Sequence, residues 1–66
     1  MEQKPKRILR IADVCGKVGM PRSTIYRAVT RGEFPAPIKL GEKASGWLES
    51  ELDAWIDARV AASRAQ

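Results

Sequence analysis

Gly19-Met20-Pro21-Arg22-Ser23-Thr24-Ile25-Tyr26-Arg27 decides the fold, because a short turn containing glycine runs straight into a helical segment, the arrangement a helix-turn-helix requires. With about 100° of turn per residue, Arg22, Tyr26, Thr30, Ser23 and Arg27 fall within an arc of about 140°, and Pro21, Ala28, Ile25 and Val29 fill the opposite side. One side packs and the other is free to touch a ligand. Arginine hydrogen-bonds guanine at two points, serine and threonine reach base edges or phosphate oxygens, and tyrosine carries a hydroxyl on a rigid arm. The outward face therefore suits the major groove of DNA, with Arg22, Ser23, Tyr26 and Arg27 as candidate contacts and Thr24 at its margin.

Upstream, Ile11, Val14, Cys15 and Val18 recur at i, i+3, i+4 and i+7 and predict an amphipathic helix of about two turns. Gly19 is placed to end it in a left-handed C-cap, and Met20 is expected to tuck beneath the turn. Pro21 is expected at the first helical position, where a missing N–H costs nothing. The second helix should reach about Arg31, giving a recognition helix over about 21–31, with Gly32 as its cap. Pro35 and Pro37 then force an extended path, anchored in the core by Phe34.

Ile38-Lys39-Leu40 and Ser45-Gly46-Trp47-Leu48 flank Gly41-Glu42-Lys43-Ala44 and read as a small hairpin over about 38–48. An isolated two-stranded hairpin is marginal, so it should lean on the helices through Ile38, Leu40 and Trp47. Lys39 and Lys43 are candidate phosphate contacts on this wing. Leu48, Leu52, Trp55, Ile56 and Val60 recur at helical spacing, and Glu49, Glu51 and Asp53 crowd the start, matching the positive end of the helix dipole. The expected fold is mostly α with a small β-hairpin: three helices plus a two-stranded wing. Its domain should span 8–60, preceded by a flexible basic arm at 1–7 and followed by a frayed tail at 61–66. Ile8-Leu9-Arg10 either adds a short strand or pins the arm.

The chain has 66 residues, 44% of them hydrophobic, enough for one domain with a small core. It has no histidine and one cysteine, so neither an internal disulfide nor a zinc site of the usual ligands can be assembled, and no metal or cofactor is expected. Cys15 lies on the buried stripe of the first helix and reads as a small hydrophobe. Trp47 and Trp55 occupy apolar periodic positions and read as core rather than as platforms for bases. Met1 to Arg10 is charged and contains no apolar run, so no secretory signal is expected, and no segment approaches a membrane span.

Charge is divided unevenly. Residues 1–31 hold eight Lys or Arg against Glu2 and Asp13, for +6, whereas residues 32–66 hold four against six Asp or Glu, for −2. The basic half contains the candidate reading helix, and such polarity attracts and orients a polyanion. Lys4, Lys6, Arg7 and Arg10 read first as a solubilising tail. The acidic run Glu49, Glu51, Asp53 and Asp57 reads as dipole matching and solubility. An enzyme is not expected, since the chain has no glycine-rich phosphate loop, no nucleophile motif and little volume for a pocket.

Taken in order, Leu9-Arg10-Ile11, Ser23-Thr24-Ile25-Tyr26-Arg27, Phe34-Pro35-Ala36-Pro37 and Gly46-Trp47-Leu48-Glu49-Ser50-Glu51-Leu52-Asp53-Ala54-Trp55-Ile56 closely resemble the AlpA family of small phage-type regulators, from Ile8 to about Arg59. The resemblance implies a winged helix-turn-helix shared with MerR-type DNA-binding domains and phage excisionases. It implies a transcriptional regulator of prophage or genomic-island genes acting in the bacterial cytoplasm at the nucleoid. The partners it implies are double-stranded DNA and either an integrase or RNA polymerase, with no membrane. It places DNA contacts on Arg22, Ser23, Thr24, Tyr26 and Arg27 and on the wing around Lys39 and Lys43. Pro21 departs from the pattern, standing where such sequences often have a serine N-cap. Two alternatives stay open: an excisionase acting with an integrase, and a protein-interaction inhibitor that uses the acidic last helix. A domain this small contacts little DNA, so cooperative self-association on repeated sites is expected.

Overall fold

The computed structural model describes residues 6–65. Of the arm expected at 1–7, residues 1–5, including Lys4, lie outside the described residues, as does Gln66. The chain runs β1 (Ile8–Leu9), α1 (Ile11–Val18), α2 (Arg22–Thr30), β2 (Ile38–Gly41), β3 (Ala44–Leu48) and α3 (Glu49–Arg64).

Both glycine stops operate as expected. Gly19 has φ 71° and its N–H donates to the Cys15 carbonyl, which a residue bearing a Cβ adopts only with strain. At the end of α2, Gly32 has φ 72°, its N–H donates to Val29 O at 3.0 Å, and the Glu33 N–H donates to Ala28 O at 2.8 Å. This pair of bonds is the Schellman arrangement, and it turns the chain toward Phe34. The start of α2 differs from expectation. Pro21 is the N-cap in extended conformation (φ −70°, ψ 159°) rather than the first helical residue. The fixed φ of proline fits that flanking position equally well, and the N-cap carbonyl still accepts from Ile25 N–H at 3.1 Å.

The sheet corrects the expected two-stranded wing. Ile8 and Leu9 pair antiparallel with Leu48 and Trp47, and β2 pairs with the other edge of β3, giving three strands in the order β1-β3-β2. The Glu49 N–H extends this pairing by donating to Arg7 O at 2.8 Å. Neither loop residue, Glu42 nor Lys43, has positive φ, so the turn is not one of the mirror-image types that match strand twist. A bulge at Leu40, between the Lys39–Ser45 and Gly41–Ala44 pairs, takes up the mismatch.

The core is Leu9, Val14, Ile25, Phe34, Trp47 and Leu52, packed around by Ile11, Cys15, Val18, Met20, Ala28, Val29 and Trp55. Phe34 anchors its loop as expected, at 6.5 Å from the Trp47 ring and 4.8 Å from the Trp55 ring, both edge-on. The tryptophans also pin that loop by hydrogen bonds, Trp47 Nε1 donating to Pro35 O at 2.7 Å and Trp55 Nε1 to Glu33 O at 2.9 Å. Two apolar positions depart from expectation. Leu40 stays 42% exposed because alternation along β2 puts it, like Ile38 paired with Gly46, over Gly46 on the sheet face opposite Trp47. Val60 is also 42% exposed, because the core ends near Trp55. Beyond that point α3 continues helically to Arg64, across the segment expected to fray, with residues 57–65 all exposed.

Gly46 is where the sheet closes on itself. A Cβ there stands 2.6 Å from Ile8 Cγ2 and 2.9 Å from the Leu9 carbonyl oxygen, and the backbone oxygen cannot retreat without disturbing the pairing of β1. Gly46→Ala is therefore expected to destabilise the domain by about 1–3 kcal/mol, measured as a lowered thermal midpoint. An unchanged midpoint contradicts this seating of β1.

Candidate nucleic-acid interface

The second helix presents the surface singled out in the sequence. Ile25 is fully buried, Ala28 and Val29 are half-buried, and Arg22, Ser23, Tyr26, Arg27 and Thr30 are exposed. The polar arc thus turns outward while the apolar side seats on the core. Thr24, at the margin of the arc, is half-buried. Tyr26 is 43% exposed with its ring tilted against Trp47 at 6.3 Å, so its orientation is set by the most buried aromatic group. The Thr30 hydroxyl donates to the Tyr26 carbonyl at 3.0 Å, leaving its oxygen lone pairs as acceptors.

The ion pairs among the described residues are Lys17 with Asp53 at 3.0 Å and Lys17 with Glu49 at 3.5 Å. The guanidinium groups of Arg22 and Arg27 are thus not neutralised by a carboxylate among the described residues. The first turn of α2 also contains no acidic side chain, and no side chain caps it, so the positive end of its dipole adds to the field of the arginines. Positive charge accumulates on one helix face mounted on a packed core.

The wing supplies the second part. Lys39 and Lys43 are both exposed, Lys43 in the hairpin turn and Lys39 opposite Ser45. Side chains alternate along a strand, so Ser45 and Trp47 share a sheet face, and Lys39, paired with Ser45, shares it too. That is the face on which Tyr26 rests. Lys39 is therefore brought to the side of the sheet that carries α2, which the sequence pattern did not specify. Lys6, Arg7 and Arg10 are exposed along the N-terminal segment.

The Lys17 cluster was not anticipated, because its members lie 32 and 36 residues apart and only the fold joins them. The hydrogen bond to Asp53 leads in raising the Lys17 pKa, with the charges of Asp53 and Glu49 adding to it and desolvation opposing it. A raised lysine pKa makes this contribution whole at neutral pH, and it is lost only as pH climbs through that raised value into strongly alkaline solution. Its role is to clip α1 to α3.

Residues 7–60 match the family described as prophage CP4-57 regulatory protein (AlpA). The chain belongs to the AlpA family. It is 45% identical to an uncharacterized protein, ORF88, of Enterobacteria phage P4, over 85% of this chain and 64% of that one. It is 41% identical to the DNA-binding transcriptional activator AlpA of Escherichia coli K12, over 80% of this chain and 84% of that one. The chain therefore spans somewhat under two thirds of the phage protein's length. No solved structure matches it. Among the described residues, no helix is long and apolar enough to cross a membrane.

Proposed function

We propose that this AlpA-family chain is a sequence-specific double-stranded DNA-binding transcriptional regulator of prophage or genomic-island genes, acting at the bacterial nucleoid. Its recognition helix α2 enters the major groove with Arg22, Ser23, Tyr26 and Arg27 toward base edges and phosphates, and Thr24 contributes from the margin. Lys39 and Lys43 hold the wing against flanking phosphates. The observation that carries this reading is the exposed arginine face of α2, not paired with carboxylates among the described residues and fixed by the Tyr26–Trp47 contact. The transcriptional role rests on the name of the E. coli relative and on the family. Several copies bind repeated sites cooperatively.

Footprinting on the intergenic DNA beside the gene tests this, with protection expected over short repeated sites. Protection at a promoter places RNA polymerase as the partner, whereas protection confined to an attachment site turns the reading to an excisionase working with an integrase. Lys39→Ala/Lys43→Ala is expected to weaken specific and scrambled duplexes alike. The slope of log affinity against log salt should fall by about 1–2 as phosphate contacts are removed. Absence of protection together with a salt-insensitive signal contradicts the reading.

A further inference from the structure

The second half of α3 has almost nothing to pack against. Residues 57–65 are all exposed, and Arg59, its Cζ 5.1 Å over the Trp55 ring, reaches back along its own helix rather than to another element. Helical segments this short are marginal in water without packing. With about 100° per residue, Glu49, Asp53, Ile56, Asp57, Val60 and Arg64 fall within an arc of about 100°, beside rather than on the side of buried Leu52. This stripe is polar in sequence order. Glu49, Asp53 and Asp57 occupy its first part, and Arg64 its last turn. Half-buried Ile56 and exposed Val60 lie between.

We propose that α3 is a self-association surface whose occupant is the antiparallel α3 of a second copy of this chain. In a parallel pair, acids meet acids. In an antiparallel pair about a two-fold axis beside the Ala58–Arg59 peptide, Asp57 of one copy lies within one turn of Arg64 of the other, while Asp53, level with that arginine, keeps its 3.0 Å pairing with Lys17. Ile56 and Val60 of both copies then meet around the axis, and the two helix dipoles oppose. The neighbouring surface accommodates this end. A shallow groove lined by Lys6, Arg7, Glu49, Ser50, Asp53 and Asp57 runs beside the acidic half, and at its Asp57 edge Arg64 of the second copy brings the opposite charge. So little apolar area makes a weak pair in free solution. It becomes effective when DNA holds two copies side by side and raises their local concentration. The proposal deepens the cooperative binding inferred above by naming its surface.

Sedimentation equilibrium of the full chain without DNA tests it, so that its failure and the failure of the DNA-binding reading are separate results. Wild type is expected to form dimers with Kd of order 100 μM. Val60→Glu, Asp57→Arg and Arg64→Glu are each expected to weaken association by about tenfold or more, and Asp57→Arg/Arg64→Glu together to recover most of it. All three positions are exposed, so circular dichroism should show the fold unchanged. Affinity for a duplex with a single site should stay at the wild-type level in Val60→Glu, while cooperativity on a two-site duplex falls. A strictly monomeric wild type, single variants that associate as well as wild type, or a double variant no better than the singles overturns the proposal.

Discussion

Arg22→Ala/Arg27→Ala is expected to lower affinity for the specific duplex by about 100-fold or more while leaving the fold intact. Both side chains are exposed on α2 and neither is paired with a carboxylate among the described residues, so truncation removes no internal partner. Alanine is the better helix former, and the thermal midpoint should hold or rise slightly. Each bidentate arginine–guanine pair is worth about 1–3 kcal/mol of discrimination, so losing two multiplies into the stated range. Fluorescence anisotropy with specific and scrambled duplexes at fixed moderate salt separates the roles. A fall on the specific duplex alone assigns base readout, and an equal fall on both assigns phosphate contact. Equal binding by wild type and the double variant sinks α2 as the reading helix. Tyr26→Phe asks the same of one hydroxyl, since the ring keeps its place against Trp47 at 6.3 Å.

The part of this fold that was legible in the sequence is the part written in local periodicity and turn chemistry. The i, i+3, i+4, i+7 stripe of α1, the left-handed glycines Gly19 and Gly32 and the anchoring role of Phe34 depend on residues within a few positions of one another. The third strand, which the sequence offered only as one of two readings of Ile8-Leu9-Arg10, shows the converse. Ile8 and Leu9 form strand only because Leu48 and Trp47 arrive beside them from about 40 residues away, and two residues have no alternation of their own to detect. The burial of Leu40 was misjudged for a related reason, since only the register of β2 with β3 tells which of its two faces meets the core. Val60 continues the apolar stripe of α3, yet periodicity does not tell where the core stops. The outward polar face of α2 was legible because amphipathicity fixes it. The placement of Lys39 on the same side was not, because it needed the register of β2 with β3.

Trp47→Ala is expected to unfold most of the population or to lower the thermal midpoint by about 15 °C or more. The side chain is 0% exposed and pairs with Leu9 across the sheet. It contacts Phe34 and Tyr26 at ring-centroid distances of 6.5 and 6.3 Å. Truncating a buried tryptophan costs about 3–5 kcal/mol, and here it also deprives the Pro35 carbonyl of its 2.7 Å donor. A domain of this size is stabilised by only about 3–10 kcal/mol in total, and each kcal/mol moves the midpoint by about 4–8 °C. Trp55→Ala should do less, because that ring is half-buried at the margin of the core. The functional consequence follows from the same contact. Tyr26 rests on Trp47, so the residue that closes the core also orients the face of α2, and DNA binding should be lost in step with folded fraction rather than independently of it. Trp47→Phe refines the argument by keeping an aromatic ring and removing the N–H, with an intermediate loss expected. Cooperative melting of Trp47→Ala within a few degrees of wild type means that the core, and with it the platform beneath α2, is built around something else.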